Sequence, residues 1–170
     1  MKEDPEELKR ELIDAAKNWL AIDGLWFLEI EKRYGLDIAL ECDIAAWKEF
    51  SRIEAERIMN RLRLPPSGGL ESLETALNHR LFSLLNTYEI RKPMPGVMEL
   101  FMTTCRTHAA RERKGLPLFP CKTIGLVDYE IFAHTIDPGI EVECIACPPD
   151  IMARSYHCGW RFTIAKNYQK

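Results

Sequence analysis

Five of the six cysteines lie in the second half of the chain, at Cys105, Cys121, Cys144, Cys147 and Cys158; Cys42 stands apart. Cys144-Ile145-Ala146-Cys147 is a C-x-x-C pair, a spacing that lets two sulfurs reach one ion. If runs 140–145 and 156–164 are antiparallel strands, Cys144 and Cys158 become cross-strand neighbours on one face. Cys121, in the loop Pro120-Cys121-Lys122, would then bring a fourth sulfur. Four thiolates at Cys121, Cys144, Cys147 and Cys158 suit zinc, with an iron–sulfur cluster as the alternative metal centre. The plainer reading is core packing, because free cysteine behaves as a small buried hydrophobe.

Cys105 and His108 form a second group. At the start of a helix they are three residues apart and share a face. A thiol at a helix N-terminus beside cations is expected to have a lowered pKa, and Arg106, Arg111, Arg113 and Lys114 supply the cations. The pair reads as nucleophile and base, or as two metal ligands; the alternative is a buried thiol next to a satisfied histidine. Arg106 and Arg111 could fork onto a ligand carboxylate. Charge changes sign along this half: residues 93–123 hold five Lys or Arg against two Glu, and residues 124–153 hold six acids and no Lys or Arg. Complementary packing with solvated faces explains that pattern as well as an anion site does.

The elements that must position these residues follow from the apolar spacing. Asp4-Pro5 is an N-cap and first-turn pair, and Leu8, Leu12, Ala15, Trp19, Trp26 and Ile30 recur at helical spacing up to Tyr34-Gly35. A second helix from Asp37 carries Ile38, Cys42, Ala45, Trp47 and Phe50. Ser51-Arg52-Ile53-Glu54 has capping-box spacing and predicts a fresh helix start. After the break Pro65–Gly69, the spacing of Leu70, Leu73, Leu77, Leu81 and Leu84 predicts one more helix, with His79 inside it. Tyr88–Lys92 and Val97–Thr104 predict a hairpin with a wide turn at 93–96. Helices are expected over 106–114 and 124–136, then two strands. His157 falls on the strand face opposite Cys158, and Trp19, Trp26, Trp47 and Trp160 read as core. The whole predicts an α+β fold, N-terminal helices packed with a small antiparallel β-sheet, in one domain over 1–170 with a helical half (1–87) and a mixed half (88–170).

Composition narrows the function classes. Apolar residues make up 46% and charged residues 29%, values of an ordinary globular chain. A net charge of −3 and a short basic patch argue against a nucleic-acid partner. The acidic start Met1–Glu7 lacks the basic end and apolar run of a secretory signal, and no apolar run is long enough to span a bilayer. The expectation is a cytoplasmic protein with no membrane partner, whose cysteines are thiols rather than disulfides.

Several stretches taken together resemble an uncharacterised family of prokaryotic cytosolic proteins: Asn18-Trp19-Leu20, Asp23-Gly24-Leu25-Trp26-Phe27, Glu31–Gly35, Ala46-Trp47, Cys105-Arg106, Ala109-Ala110-Arg111, Arg113-Lys114-Gly115, Pro120-Cys121-Lys122 and Cys144–Asp150. That family is similar to the L-2-amino-thiazoline-4-carboxylic acid hydrolases, which open a thiazoline ring. The tail, Cys144 followed by Tyr156-His157-Cys158-Gly159-Trp160-Arg161-Phe162, also resembles the end of vinyl-4-reductase-type small-molecule-binding domains, differing in Tyr156-His157 where they carry Gly-Asp. The resemblance implies helices packed on a small antiparallel sheet, a fold shared with haem nitric-oxide-binding proteins and vesicle-tethering subunits, and a small-molecule ligand.

These readings leave three functions. The first is a small-molecule-binding protein with a Cys-rich metal site, hydrolysing a thiazoline-like or carboxylate-bearing compound. The second is a non-catalytic sensor or binding module with a structural metal. The third is a metal-free scaffold assembled as a homo-oligomer.

Overall fold

The computed structural model describes residues 4–150 and 155–164; residues 1–3 of the acidic start lie outside them. Helix α1 spans Pro5–Tyr34. Asp4 starts it by accepting the Glu6 N–H at 3.1 Å, with Pro5 in the first turn. Gly35 ends it at φ 89°, a conformation that favours glycine, and its N–H donates to the Glu31 carbonyl at 2.9 Å. One residue therefore folds the chain back into α2, Leu36–Leu62. No helix starts at Ser51. Its hydroxyl instead donates within the helix to the Trp47 carbonyl and lies 2.6 Å from an Asp128 oxygen, so the capping-box spacing serves a tertiary bond.

Helix α3 covers Gly69–Leu77 and stops earlier than the leucine spacing predicts. A 3₁₀ turn, Leu81–Leu84, follows, and His79 lies in the connection between the two. The break comes where Arg80 turns inward, 4% exposed, to bind Glu54 and Asp128. Buried ion pairing overrides helical propensity at that point.

Strands β1 (Thr87–Met94), β2 (Val97–Thr104), β3 (Ile140–Ala146) and β4 (Cys158–Ile164) form one antiparallel sheet in the order β1-β2-β4-β3. The turn between β1 and β2 is tighter than predicted: Met94 pairs with Val97, leaving Pro95 and Gly96, with Gly96 at φ 79°. Helices α4 (Arg106–Arg113) and α5 (Lys122–Ile136) complete the α+β fold.

Period-two alternation places Met98, Leu100 and Met102 of β2 opposite Phe162, Trp160 and Cys158 of β4 on one face. That face packs on Phe132, Ala133 and Ile136 of α5, Ile58 of α2 and Leu73 of α3. On the far face Arg161 bridges Glu99 at 3.0 Å and Glu143 at 3.0 Å. A second core, built from Phe27, Ala39, Trp47, Phe119 and Ile124, joins the α1–α2 hairpin to the start of α5. Trp26, expected inside, is 67% exposed.

Cys144 and Cys158 share the inner face as expected, as diagonal rather than directly opposite neighbours. Cys144 pairs with Trp160, Ala146 pairs with Gly159, and the register shifts between them at Ile145. Strict alternation would send Cys144 and Cys147, three residues apart, to opposite faces. The bulge inserts one residue and re-aims the chain, so Cys147 is fully buried in the main core with Cys144 and Cys158 packed against it.

Candidate active site

Cys121 packs against both hydrophobic cores, at the seam between them. Three anchors hold it there. Arg111 of α4 reaches Glu31 of α1 through two bonds of 2.9 and 3.0 Å, and its Nε donates to the Pro117 carbonyl at 2.8 Å, gripping the loop that leads to Cys121. Phe119 in that loop meets Phe27 edge-on, with ring centroids 5.0 Å apart. The Lys122 N–H then donates to the Pro148 carbonyl at 2.9 Å, binding the start of α5 to the segment after Cys147.

The Cys121 sulfur lies 3.0 Å from His108 Nε2, and His108 Nδ1 lies 3.2 Å from His157 Nδ1. Helix α4 carries His108; its first turn is fixed by Asn86, whose side-chain oxygen accepts the Arg106 N–H at 2.9 Å. His157 is set by its own N–H, which donates to the Met102 carbonyl at 2.7 Å.

The protons in this chain are ordered by charge. A hydrogen bond from the Cys147 thiol lowers the Cys121 pKa to about 5; burial opposes the shift, and the His108 bond and charge reinforce it. The Cys147 thiol is driven far up, because its bonds to Cys121 and Cys158 make it the group that keeps its proton. Burial disfavours a charged His108, yet the Cys121 bond and charge leave its pKa raised. His157 is lowered by burial and then by the His108 charge. Together these directions favour a Cys121 thiolate beside a His108 imidazolium, with a neutral His157 accepting from it.

Cys121, Cys147, Cys158 and Cys105 line a cavity of about 460 Å³ whose walls include Leu20, Phe27, Trp47, Phe82, Met102 and Ile124. Such a volume suits a small organic ligand. Asp23 and Asp43 also face it. Burial and then the Asp23 charge hold the Asp43 carboxyl up at about 7, against a Trp47 hydrogen bond, and burial raises Asp23. On the other side of the α4 N-terminus a second cavity, of about 540 Å³, is lined by His108, His157, Cys105 and Arg106.

The residues singled out from sequence are distributed as follows. Cys105 sits at the N-cap of α4, but its thiol is raised to about 11 rather than lowered, because burial outweighs the helix N–H groups. His108 has its partner in Cys121, not Cys105. Arg106 is exposed at the rim of both cavities, whereas the Arg111 guanidinium is taken up by Glu31 and Pro117. Cys121, Cys147 and Cys158 share one cavity; Cys144 reaches Cys147 but lies outside that lining. The sulfurs and imidazole suit a soft cation in kind, and among the described residues no group of three or more His, Cys, Asp or Glu is arranged to hold a metal ion. His157, Asp23 and Asp43 were missed. His157 escaped because strand alternation from 156 extends two residues before β4 begins at Cys158.

No helix among the described residues is long and apolar enough to cross a membrane. No curated protein matches the chain. A family described only as one of unknown function, DUF6125, matches residues 2–164, and the chain belongs to that family.

Proposed function

We propose that this protein binds a small electrophilic molecule in the Cys121 cavity and hydrolyses a C–N bond in it, with Cys121 as nucleophile and His108 as acid and base. The single observation behind this reading is the 3.0 Å contact between His108 Nε2, on the side of the second cavity, and the Sγ of Cys121, which lines the cavity of about 460 Å³. The thiolate sulfur adds to the carbon of a C=N or carbonyl group. The electron pair moves to nitrogen or oxygen, and the amine leaves as the C–N bond breaks, taking its proton from His108. Neutral His108 then takes a proton from water as the water oxygen attacks the same carbon. The C–S bond breaks and the thiolate returns. His157 holds the imidazole through Nδ1, which keeps Nε2 aimed at the sulfur. Arg106, Arg113 and Lys114 at the cavity give it a cationic side suited to a carboxylate-bearing ligand.

Incubation with small cyclic C=N acids, a thiazoline carboxylate first, followed by intact-mass and product analysis, tests the reading. Product release and a transient adduct on Cys121 are expected, both lost in Cys121→Ala with the circular dichroism spectrum unchanged. Full turnover in Cys121→Ala would overturn it. So would about one zinc per purified chain that shields Cys121 from alkylation until a chelator is added, since the sulfurs would then be a metal site.

A further inference from the structure

The mechanism above uses one sulfur of a cluster. Cys147 is left over: it is fully buried, shares one cavity lining with Cys121 and Cys158, and performs no step in hydrolysis. The peptides on either side are already clamped. Lys122 N–H to Pro148 C=O, at 2.9 Å, joins the residue after Cys121 to the residue after Cys147, and the Lys122 ammonium meets Asp150 at 3.0 Å across the same junction. Two cysteines that line one cavity from adjoining, tethered segments are placed to approach bonding distance. The pair also differs in kind: one thiolate that opens onto a cavity, and one thiol that holds its proton.

We propose that Cys121 and Cys147 are a covalent modification site, forming a reversible disulfide when a hydroperoxide enters the Cys121 cavity. The inference rests on Cys121 being the thiolate of the proposed active site. In the first step the Cys121 sulfur attacks the distal peroxide oxygen, the O–O bond breaks, and the alcohol or water leaves with a proton taken from the His108 imidazolium 3.0 Å away, giving Cys121 sulfenic acid. In the second the Cys147 sulfur attacks the Cys121 sulfur, the S–O bond breaks, and the Cys147 proton departs with the hydroxide as water. Two thiols supply two electrons, and one peroxide is reduced. The order of events follows from the hydrogen bond. Cys147 keeps its proton while Cys121 is an anion; once Cys121 becomes an uncharged sulfenic acid, that stabilisation is gone and Cys147 is free to ionise. The disulfide removes the nucleophile, so oxidation switches the cavity off, and a dithiol reductant restores it.

The test uses the whole chain, pre-reduced and desalted, with hydrogen peroxide as the probe at one to five equivalents. Alkylation under denaturing conditions and peptide mass mapping follow. Free thiols are expected to fall from six to four per chain. The linked peptides are expected to carry Cys121 and Cys147, and dithiothreitol should restore all six. In Cys147→Ser the Cys121 sulfur should stop as a sulfenic acid that dimedone traps, and Cys147→Ala serves if the serine variant fails to fold. Over-oxidation of wild-type Cys121 to the sulfinic acid without a link to Cys147 would overturn the inference, as would a principal link between Cys144 and Cys147. Either result, with rapid alkylation of Cys121 at pH 6 retained, leaves the hydrolytic reading standing. Slow alkylation and no oxidation would end both.

Discussion

A Cβ added to Gly125 would lie 2.5 Å from Cζ2 of Trp160. That distance fixes how closely α5 lies on the sheet, and the site depends on it: α5 begins just after Cys121, and β4 carries both Trp160 and Cys158. The Trp160 Nε1–H donates to the Cys158 sulfur at 3.3 Å, so the ring cannot turn aside freely. Gly125→Ala is therefore expected to destabilise the protein by about 1–3 kcal/mol, as overpacking does. For a chain of this size that is a fall in melting temperature of roughly 2–4 °C per kcal/mol. A melting temperature unchanged in Gly125→Ala would show that the helix stands further off the sheet.

Arg80 lies between two carboxylates, 2.8 Å from Glu54 and 2.8 Å from Asp128, over the ring of Phe132 at 4.3 Å. Burial opposes its charge, but Asp128 and Glu54 together raise its pKa, so it stays a cation at any working pH. Arg80→Met leaves two carboxylates buried without their partner, and a loss of about 3–5 kcal/mol is expected at pH 7. Denaturant melts of both proteins at pH 7 measure it, and a loss under about 1 kcal/mol would mean that the two carboxylates find other partners.

The long helices, the four strands and the α+β class were legible because apolar spacing and the caps at Asp4 and Gly35 are local signals. The convergence of His108 and Cys121 was not, since it depends on Arg111 gripping Glu31, 80 residues away in the chain. Arg111 looked like a ligand fork because a sequence shows the guanidinium and not its partner. The C-x-x-C pair pointed to the right region, yet the register shift at Ile145, invisible to alternation, made Cys147 rather than Cys144 the sulfur that meets Cys121. The expected low pKa at Cys105 failed on burial, which spacing does not report.

The two aspartates facing the cavity predict a pH-dependent stability of opposite sign to that of an ordinary ion-paired carboxylate. Asp43 titrates near 7 in the folded protein, against 3.8 as its ordinary value. A raised carboxyl keeps its proton longer in the folded state than in the unfolded one. Its contribution is complete below about pH 4 and is lost as the pH rises through 7. Asp43→Asn removes that loss, so the variant is expected to gain stability relative to wild type as the pH rises from 4 through 7, by roughly 1–3 kcal/mol after allowance for partial solvent exposure. Thermal melts of the two proteins across that range decide it. A constant difference between them would place both carboxyls in the ordinary range.

Alkylation of Cys121 by iodoacetamide reports its thiolate directly. With the pKa at about 5, its rate should be nearly flat from pH 6 to 9 and fall by half near pH 5, whereas the same cysteine in the denatured chain should follow an ordinary thiol curve. Two variants separate the causes. His108→Gln removes the cationic partner, so the midpoint moves up and the rate at pH 6 drops about tenfold for each unit moved. Cys147→Ala removes the donor that does most to hold the anion, and it should shift the midpoint at least as far; Cys147→Ser, which keeps a donor, should shift it less. The same ordering appears in stability. A lowered thiol pKa contributes fully above about pH 9, progressively less below it, and nothing once the pH has fallen through 5, so the stability gap between wild type and Cys121→Ala should narrow over that window. Peptide-resolved rates showing Cys121 with the same midpoint in the folded and the denatured chain would mean that the sulfur at the seam of the two cores carries its proton, and that His108 is only its neighbour.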